Sequence, residues 1–148
     1  MAFTVREATV EDTVQIAALI KELAENENLS EQVTQAEEGL IRDGFTEGPY
    51  YKSLVAEVPA DQACRGHTVV GFALYFPSYG TWKGRAIYLE DLYVMKGFHD
   101  RGIGDALLQR VTERDQSRIY FHKAVTLTCD GLHCFSLHVM HLLKTISR

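Results

Sequence analysis

A chain of 148 residues has room for one domain with a sizeable core and too little for two, so residues 1–148 are expected to form a single domain. A net charge of −5 argues against nucleic acid or an anionic membrane as the main partner, and no apolar run approaches the length that crosses a bilayer. Three cysteines make no disulfide framework, and the start, MAFTVREATVED, lacks a basic segment followed by an apolar core, so a cytoplasmic setting is expected.

FTVREA reads as a short alternating strand, with Phe3 and Val5 on one face. ATVEDTVQIAALIKELAENE follows as a helix. Thr9 is its expected N-cap, Asp12 completes a box-like start, and Val14, Ile16, Ala17, Leu19, Ile20 and Leu23 form its apolar face. A second helix is expected over residues 30–41, capped by Ser30. The turn-rich DGFTEGPYY leads into three strands, YYKSLVAEV, TVVGFALYFPSY and AIYLEDLYVM, whose short connections predict an antiparallel meander. GIGDALLQRVTERD is a helix with Ala106, Leu107, Leu108 and Val111 in its stripe, and KAVTLTC is expected to be a further strand. Strand, two helices, three strands, helix, strand is the order of a mixed α/β sheet flanked by helices.

Composition changes near Asp115. Up to Arg114 there are 18 acids and 11 bases; beyond it there are two acids and four bases, with four of the six His and two of the three Cys. Residues 115–148 are therefore a divergent tail. Cys134, His138 and His141 fall at helical spacing, with Cys129 and His133 nearby, but this is no standard zinc spacing and suits an amphipathic helix as well, so no metal is expected.

The chemistry concentrates in YLEDLYVMKGFHDRGIGDALLQRV, residues 88–111. A helix start carries unsatisfied N–H groups and the positive end of the dipole, and Gly97, Gly102 and Gly104 let the backbone approach an anion such as phosphate, with Arg101 adding charge. The same glycines also suit a tight turn that binds nothing. The strand ahead of them is not expected to belong to a parallel βαβ unit, and no acid follows at the ribose-binding distance, which argues against a dinucleotide fold. Glu90 is placed to act as a base on a bound amine, directly or through water; equally, Glu90 and Asp91 suit ordinary strand-end acids.

These segments, with IKELAENENLSEQV, DGFTEGPYYKSLVAEV, VVGFALYF and TWKGRAIYLEDLYVM, resemble the GCN5-related N-acetyltransferases, in particular the diamine (spermidine/spermine) N-acetyltransferases and their thialysine-acetylating relatives, over residues 3–114. The resemblance implies an acetyltransferase domain that moves an acetyl group from acetyl-CoA to a primary amine of a polyamine or thialysine-like molecule, working as a homodimer. It implies that Leu92 and Val94 offer backbone groups to acetyl-CoA, and that His99, Arg101, Gly102, Ile103 and Gly104 hold its pyrophosphate. Glu90 would be the base, and Glu27, Glu31, Trp82 and Asp91 would receive the amine. Trp82 also suits a cap on the sheet, and Glu27 and Glu31 a solvated helix end.

Departures accompany the resemblance. Where the family's pyrophosphate motif opens on Arg or Gln, this chain has His99, and Asp100 brings a negative charge to the site. Gly80 stands where polyamine-specific members carry an acid, and Asn26 where an aromatic is expected. The tail matches neither the family's Phe-Tyr helix, whose tyrosine protonates the leaving thiolate, nor its closing strands, as if an alternative exon, a retained intron or a frameshifted segment were joined to a family body. The alternative function is a catalytically impaired CoA-binding or dimer-forming variant that regulates intact members.

Overall fold

The structure is a computed structural model in which residues 2–26, 28–34, 37–114 and 118–121 are described. Strand β1 (Thr4–Glu7) runs into a 3-10 turn, Val10–Asp12, and then α1 (Thr13–Asn26). The box-like start forms: the Thr9 N–H and hydroxyl donate to Asp12 Oδ2 at 2.7 and 3.2 Å. Asp12 is 5% exposed and is gripped by both Arg6 terminal nitrogens, at 2.7 and 3.0 Å. Arg6 also reaches Glu57 at 3.0 Å, tying β1 to its neighbour. Burial by itself would raise the Asp12 pKa; the hydrogen bonds from Arg6 and from the Thr9 backbone outweigh it and hold the carboxyl below its ordinary value. On α1, Ile16, Leu19 and Leu23 are buried, while Val14 lies on the solvent side at 56% exposed.

The expected helix over residues 30–41 is broken. Ser30–Gln32 is a 3-10 turn, α2 is only Glu37–Ile41, and Arg42–Thr46 continues it as a π turn. The chain is already extended at Val33, and a β-branched pair, Val33 and Thr34, resists helix there. Gly44 permits the π turn to close against its neighbour, because a Cβ would meet the Tyr51 ring.

The meander forms as expected. β2 (Lys52–Glu57), β3 (Val69–Gly80) and β4 (Gly84–Val94) pair antiparallel in sequence order, with β1 on the outer edge of β2. Helix α3 (Ile103–Arg114) then returns the chain to β5 (Arg118–Phe121), which pairs with β4 in parallel from Ala86↔Arg118 to Leu89↔Phe121. Two expectations are corrected here. The glycine turn does belong to a parallel βαβ unit, since β4, α3 and β5 make one. A strand begins at Arg118, five residues before KAVTLTC, which lies outside the described residues, as do Cys129, His133, Cys134, His138 and His141.

Sheet register assigns the faces. A Cβ on Gly71 would meet Ile103 and Leu107 side-chain carbons at 3.4 Å, so the face carrying Gly71, Ala73, Leu92 and Val94 lies under α3. Phe72 and its partner Tyr93 point to the other face, where the Tyr93 hydroxyl meets Asn26 of α1. The two helices thus cover opposite faces, a three-layer arrangement. Ile103, Leu107, Leu108 and Val111 of α3 are each no more than 1% exposed, and burying each contributes about 1.5–3 kcal/mol.

Candidate active site

In β4 the apolar phase slips. Ile87 and Leu89 fall on odd positions, and Leu92 and Val94 on even ones. The slip is a β-bulge: Tyr75 opposes Leu89 and Leu74 opposes Asp91, so Glu90 is the extra residue. A bulge bends the strand and re-aims a side chain without losing the pairing on either side. Glu90 and Asp91, both half-buried, are thereby brought together in the middle of β4. The described parallel pairing with β5 ends at Leu89, one residue before them.

Beyond the bulge, the Met95 N–H donates to the Val70 carbonyl at 2.7 Å. In an antiparallel pair the bonding direction alternates, so the backbone groups of Val94 and Leu92 point away from β3, toward the β5 side. His99 Nε2 donates to the Val94 carbonyl at 2.9 Å. That nitrogen of His99 is committed to the strand end rather than to a bound anion.

The connection from β4 to α3 is built on left-handed residues: Gly97 (φ 97), Asp100 (φ 64) and Gly102 (φ 76). Among the described residues, chain neighbours aside, no atom lies within 4 Å of a Cβ built on Gly97 or Gly102. The Arg101 guanidinium lies 4.9 Å from the centre of the Phe98 ring, a cation–π contact. The Ala106 N–H donates to the Gly102 carbonyl at 3.0 Å, closing the first turn of α3. The N–H groups of Ile103, Gly104 and Asp105 then have no intrahelical acceptor. Ile103 contributes through its backbone alone, since its side chain is in the core. These donors fit a diphosphate; Asp100 and Asp105 oppose it with charge.

The expected acceptor residues are not all gathered. Glu31 is exposed in the turn after α1, and Glu27 lies outside the described residues. Trp82 is 96% exposed at the tip of the β3–β4 hairpin, where it lines a groove with Gly80, Thr81, Lys83 and Tyr120. Six residues of extended strand separate Gly84 from Glu90, about 20 Å, so within one chain Trp82 and the paired acids are apart.

A model of the acetyltransferase (GNAT) family matches residues 17–138. The chain belongs to that family. The thialysine N-epsilon-acetyltransferase of Bos taurus is 50% identical over 115 residues, 76% of this chain and 68% of that protein. That of Mus musculus is 47% identical over 110 residues, 74% of this chain and 65% of that one. This acetyltransferase-family chain thus spans about two thirds of the length of those relatives. The spermidine/spermine N(1)-acetyltransferase-like protein 1 of Homo sapiens is 37% identical over 131 residues, 88% of this chain and 18% of that protein. Among solved structures, a possible acetyltransferase from Clostridium difficile superposes with a TM-score of 0.63 at 18% identity, covering 95% of this chain and 90% of that one. An aminoglycoside acetyltransferase from an uncultured soil sample gives 0.60 at 22%, covering 86% and 83%. At such identities the likeness is one of fold.

This acetyltransferase also carries a network that the sequence pattern does not announce. Tyr93 is 1% exposed, and its hydroxyl accepts from Asn26 Nδ2 at 3.1 Å, within the field of the Glu22 carboxylate. Glu22 in turn lies 3.6 Å from Arg65 in the connection between β2 and β3. Burial first, and then the Glu22 charge, push the Tyr93 phenol above its ordinary value. Among the described residues, no group of three or more His, Cys, Asp and Glu is placed to hold a metal, and no helix is long and apolar enough to cross a membrane.

Proposed function

We propose that this chain transfers the acetyl group of acetyl-CoA to a primary amine of a polyamine or thialysine-like basic small molecule, as a cytoplasmic homodimer. The bulge at Glu90 carries the proposal, because it sets two carboxylates side by side on the strand that runs on into the glycine turn and α3. The names of the relatives support the amine class. An alkyl ammonium has an ordinary pKa of about 10 and is no nucleophile until it loses a proton. Glu90 takes that proton, through water. The nitrogen then attacks the acetyl carbonyl carbon, the carbon–sulfur bond breaks, and the sulfur leaves. A thiol of ordinary pKa, about 8.5, is a tolerable leaving group, so a dedicated acid assists the step without being indispensable. Asp91 draws the cationic amine with Glu31 and Glu27, and Trp82 reaches it from the second copy of the homodimer. Leu92 and Val94 offer backbone groups to the acetyl-CoA arm, while Arg101, Gly102, Ile103 and Gly104 face its diphosphate and His99 braces the turn from the Val94 carbonyl.

The test is thiol release from acetyl-CoA by the purified chain, with spermidine, spermine and thialysine offered separately. Turnover with any of them supports the proposal and names the acceptor. Tight acetyl-CoA binding with no turnover on any amine would replace acetyl transfer by a CoA-binding role.

One departure from the family yields a directional prediction. Asp100 holds a left-handed φ of 64 and adds a carboxylate beside the helix start. Asp100→Gly is expected to tighten acetyl-CoA binding about fivefold, the equivalent of roughly 1 kcal/mol of relieved repulsion. It should also raise stability by about 0.5–1 kcal/mol, since glycine adopts that φ freely. Calorimetric titration and a melting curve read the two effects separately.

A further inference from the structure

Tyr93 lies two residues past Asp91 on the same face of β4, the face covered by α1. A phenylalanine would fill that space equally well; the hydroxyl is what needs an explanation. It accepts from Asn26 at the last residue of α1, and the Glu22 carboxylate one turn earlier acts on it electrostatically. The chain turns sharply just beyond this point. The Asn28 N–H donates to the Glu25 carbonyl at 3.1 Å, the Leu29 N–H to the Ala24 carbonyl at 2.8 Å, and Asn28 takes a left-handed φ of 58. Glu31 follows in the next turn, Ser30–Gln32. The Tyr93 hydroxyl therefore pins the place from which an acidic segment departs to a strand position next to the paired acids. Arg65 lies 3.6 Å from the same Glu22 carboxylate. Burial and the Glu22 charge both favour the neutral phenol.

We propose that Tyr93 is a positioning residue that fixes the gap between the C-terminal end of α1 and the carboxylates of β4, and thereby sets the preference for multiply charged over singly charged amines. This rests on the acetyltransferase function proposed above. An amine with two or more ammonium groups must satisfy carboxylates on both elements at once, so its affinity depends on their separation. An amine with one ammonium group needs only one of them and is indifferent to the gap.

The experiment measures kcat and KM of the wild type and of Tyr93→Phe with spermidine and with n-butylamine. The expected result is a KM for spermidine raised about five- to tenfold, as for loss of one ordering contact, with the butylamine KM and both kcat values within about twofold. Asn26→Ala, at an exposed position, is expected to give the same split and serves in its place if Tyr93→Phe does not fold. An equal KM change for both amines, or no change for either, overturns the proposal, because general loosening of the core would not distinguish the number of charges. Absence of turnover by the wild type would instead sink the acetyltransferase function. Spermidine titrations of wild type and Asn26→Ala would then decide the positioning role: weaker binding by the variant supports it, and equal binding removes it.

Discussion

Replacing Glu90 by glutamine is expected to lower kcat for amine acetylation by about 10²–10⁴-fold at neutral pH, the usual contribution of a positioned general base. Glutamine keeps the size of the side chain and the backbone of the bulge, so acetyl-CoA affinity should stay within about threefold. The deficit should shrink as pH rises toward the amine's own pKa near 10, because the fraction of neutral amine then grows about tenfold per unit without any base. Asp91→Asn should behave differently: its neighbour keeps the base role, so the change falls on KM for the amine and much less on kcat. Rate profiles of the three proteins between pH 7 and 10 separate these outcomes. A Glu90→Gln chain within threefold of wild type at neutral pH would remove Glu90 from the proton transfer, whatever the fold resemblance.

The bulge that carries this prediction was legible in the sequence, although it is easily missed. Strict alternation through Ile87, Leu89, Leu92 and Val94 requires one extra residue, and the two acids sit where it belongs. The α3 stripe and the β2–β3–β4 meander were likewise written in local periodicity, which is why both formed where expected. Contacts made across the chain left no such trace. Tyr93 and Asn26 are 67 positions apart, and Arg6 and Glu57 are 51 apart; each residue by itself looks like an ordinary strand or helix position. Residues 30–41 misled for the opposite reason. Their composition is helical, but the chain is extended at Val33, where the β-branched pair Val33 and Thr34 interrupts it. Trp82 shows that a residue can belong to a family pattern and still lie about 20 Å along the strand from the acids of its own chain.

Arg6 carries the other large effect, on stability rather than on chemistry. Its guanidinium is the only described side-chain partner that neutralises Asp12, and it joins β1, the start of α1 and β2 through Asp12 and Glu57. Arg6→Ala is expected to destabilise the fold by about 2–3 kcal/mol at pH 7. This is below the range for a fully buried pair, because the Arg6 side chain is 33% exposed and partly screened. The sign with pH follows from Asp12. Its folded pKa is depressed below the unfolded value of about 3.9, so the wild-type pair contributes fully above that value and is lost as pH falls through the folded pKa. In the variant, burial acts unopposed by Arg6 and moves the Asp12 pKa upward, so the carboxyl becomes neutral in mild acid and no longer needs a partner. The gap between wild type and variant should therefore be widest near neutrality and narrow toward pH 4. Urea unfolding at pH 7 and pH 4 measures it. Adding Asp12→Asn to Arg6→Ala should recover part of the loss at pH 7 by removing the unpaired charge, at the cost of a weaker start to α1. An equal deficit at both pH values, with no recovery in the double variant, would mean that Arg6 acts through the contacts of its aliphatic stem and not through its charge.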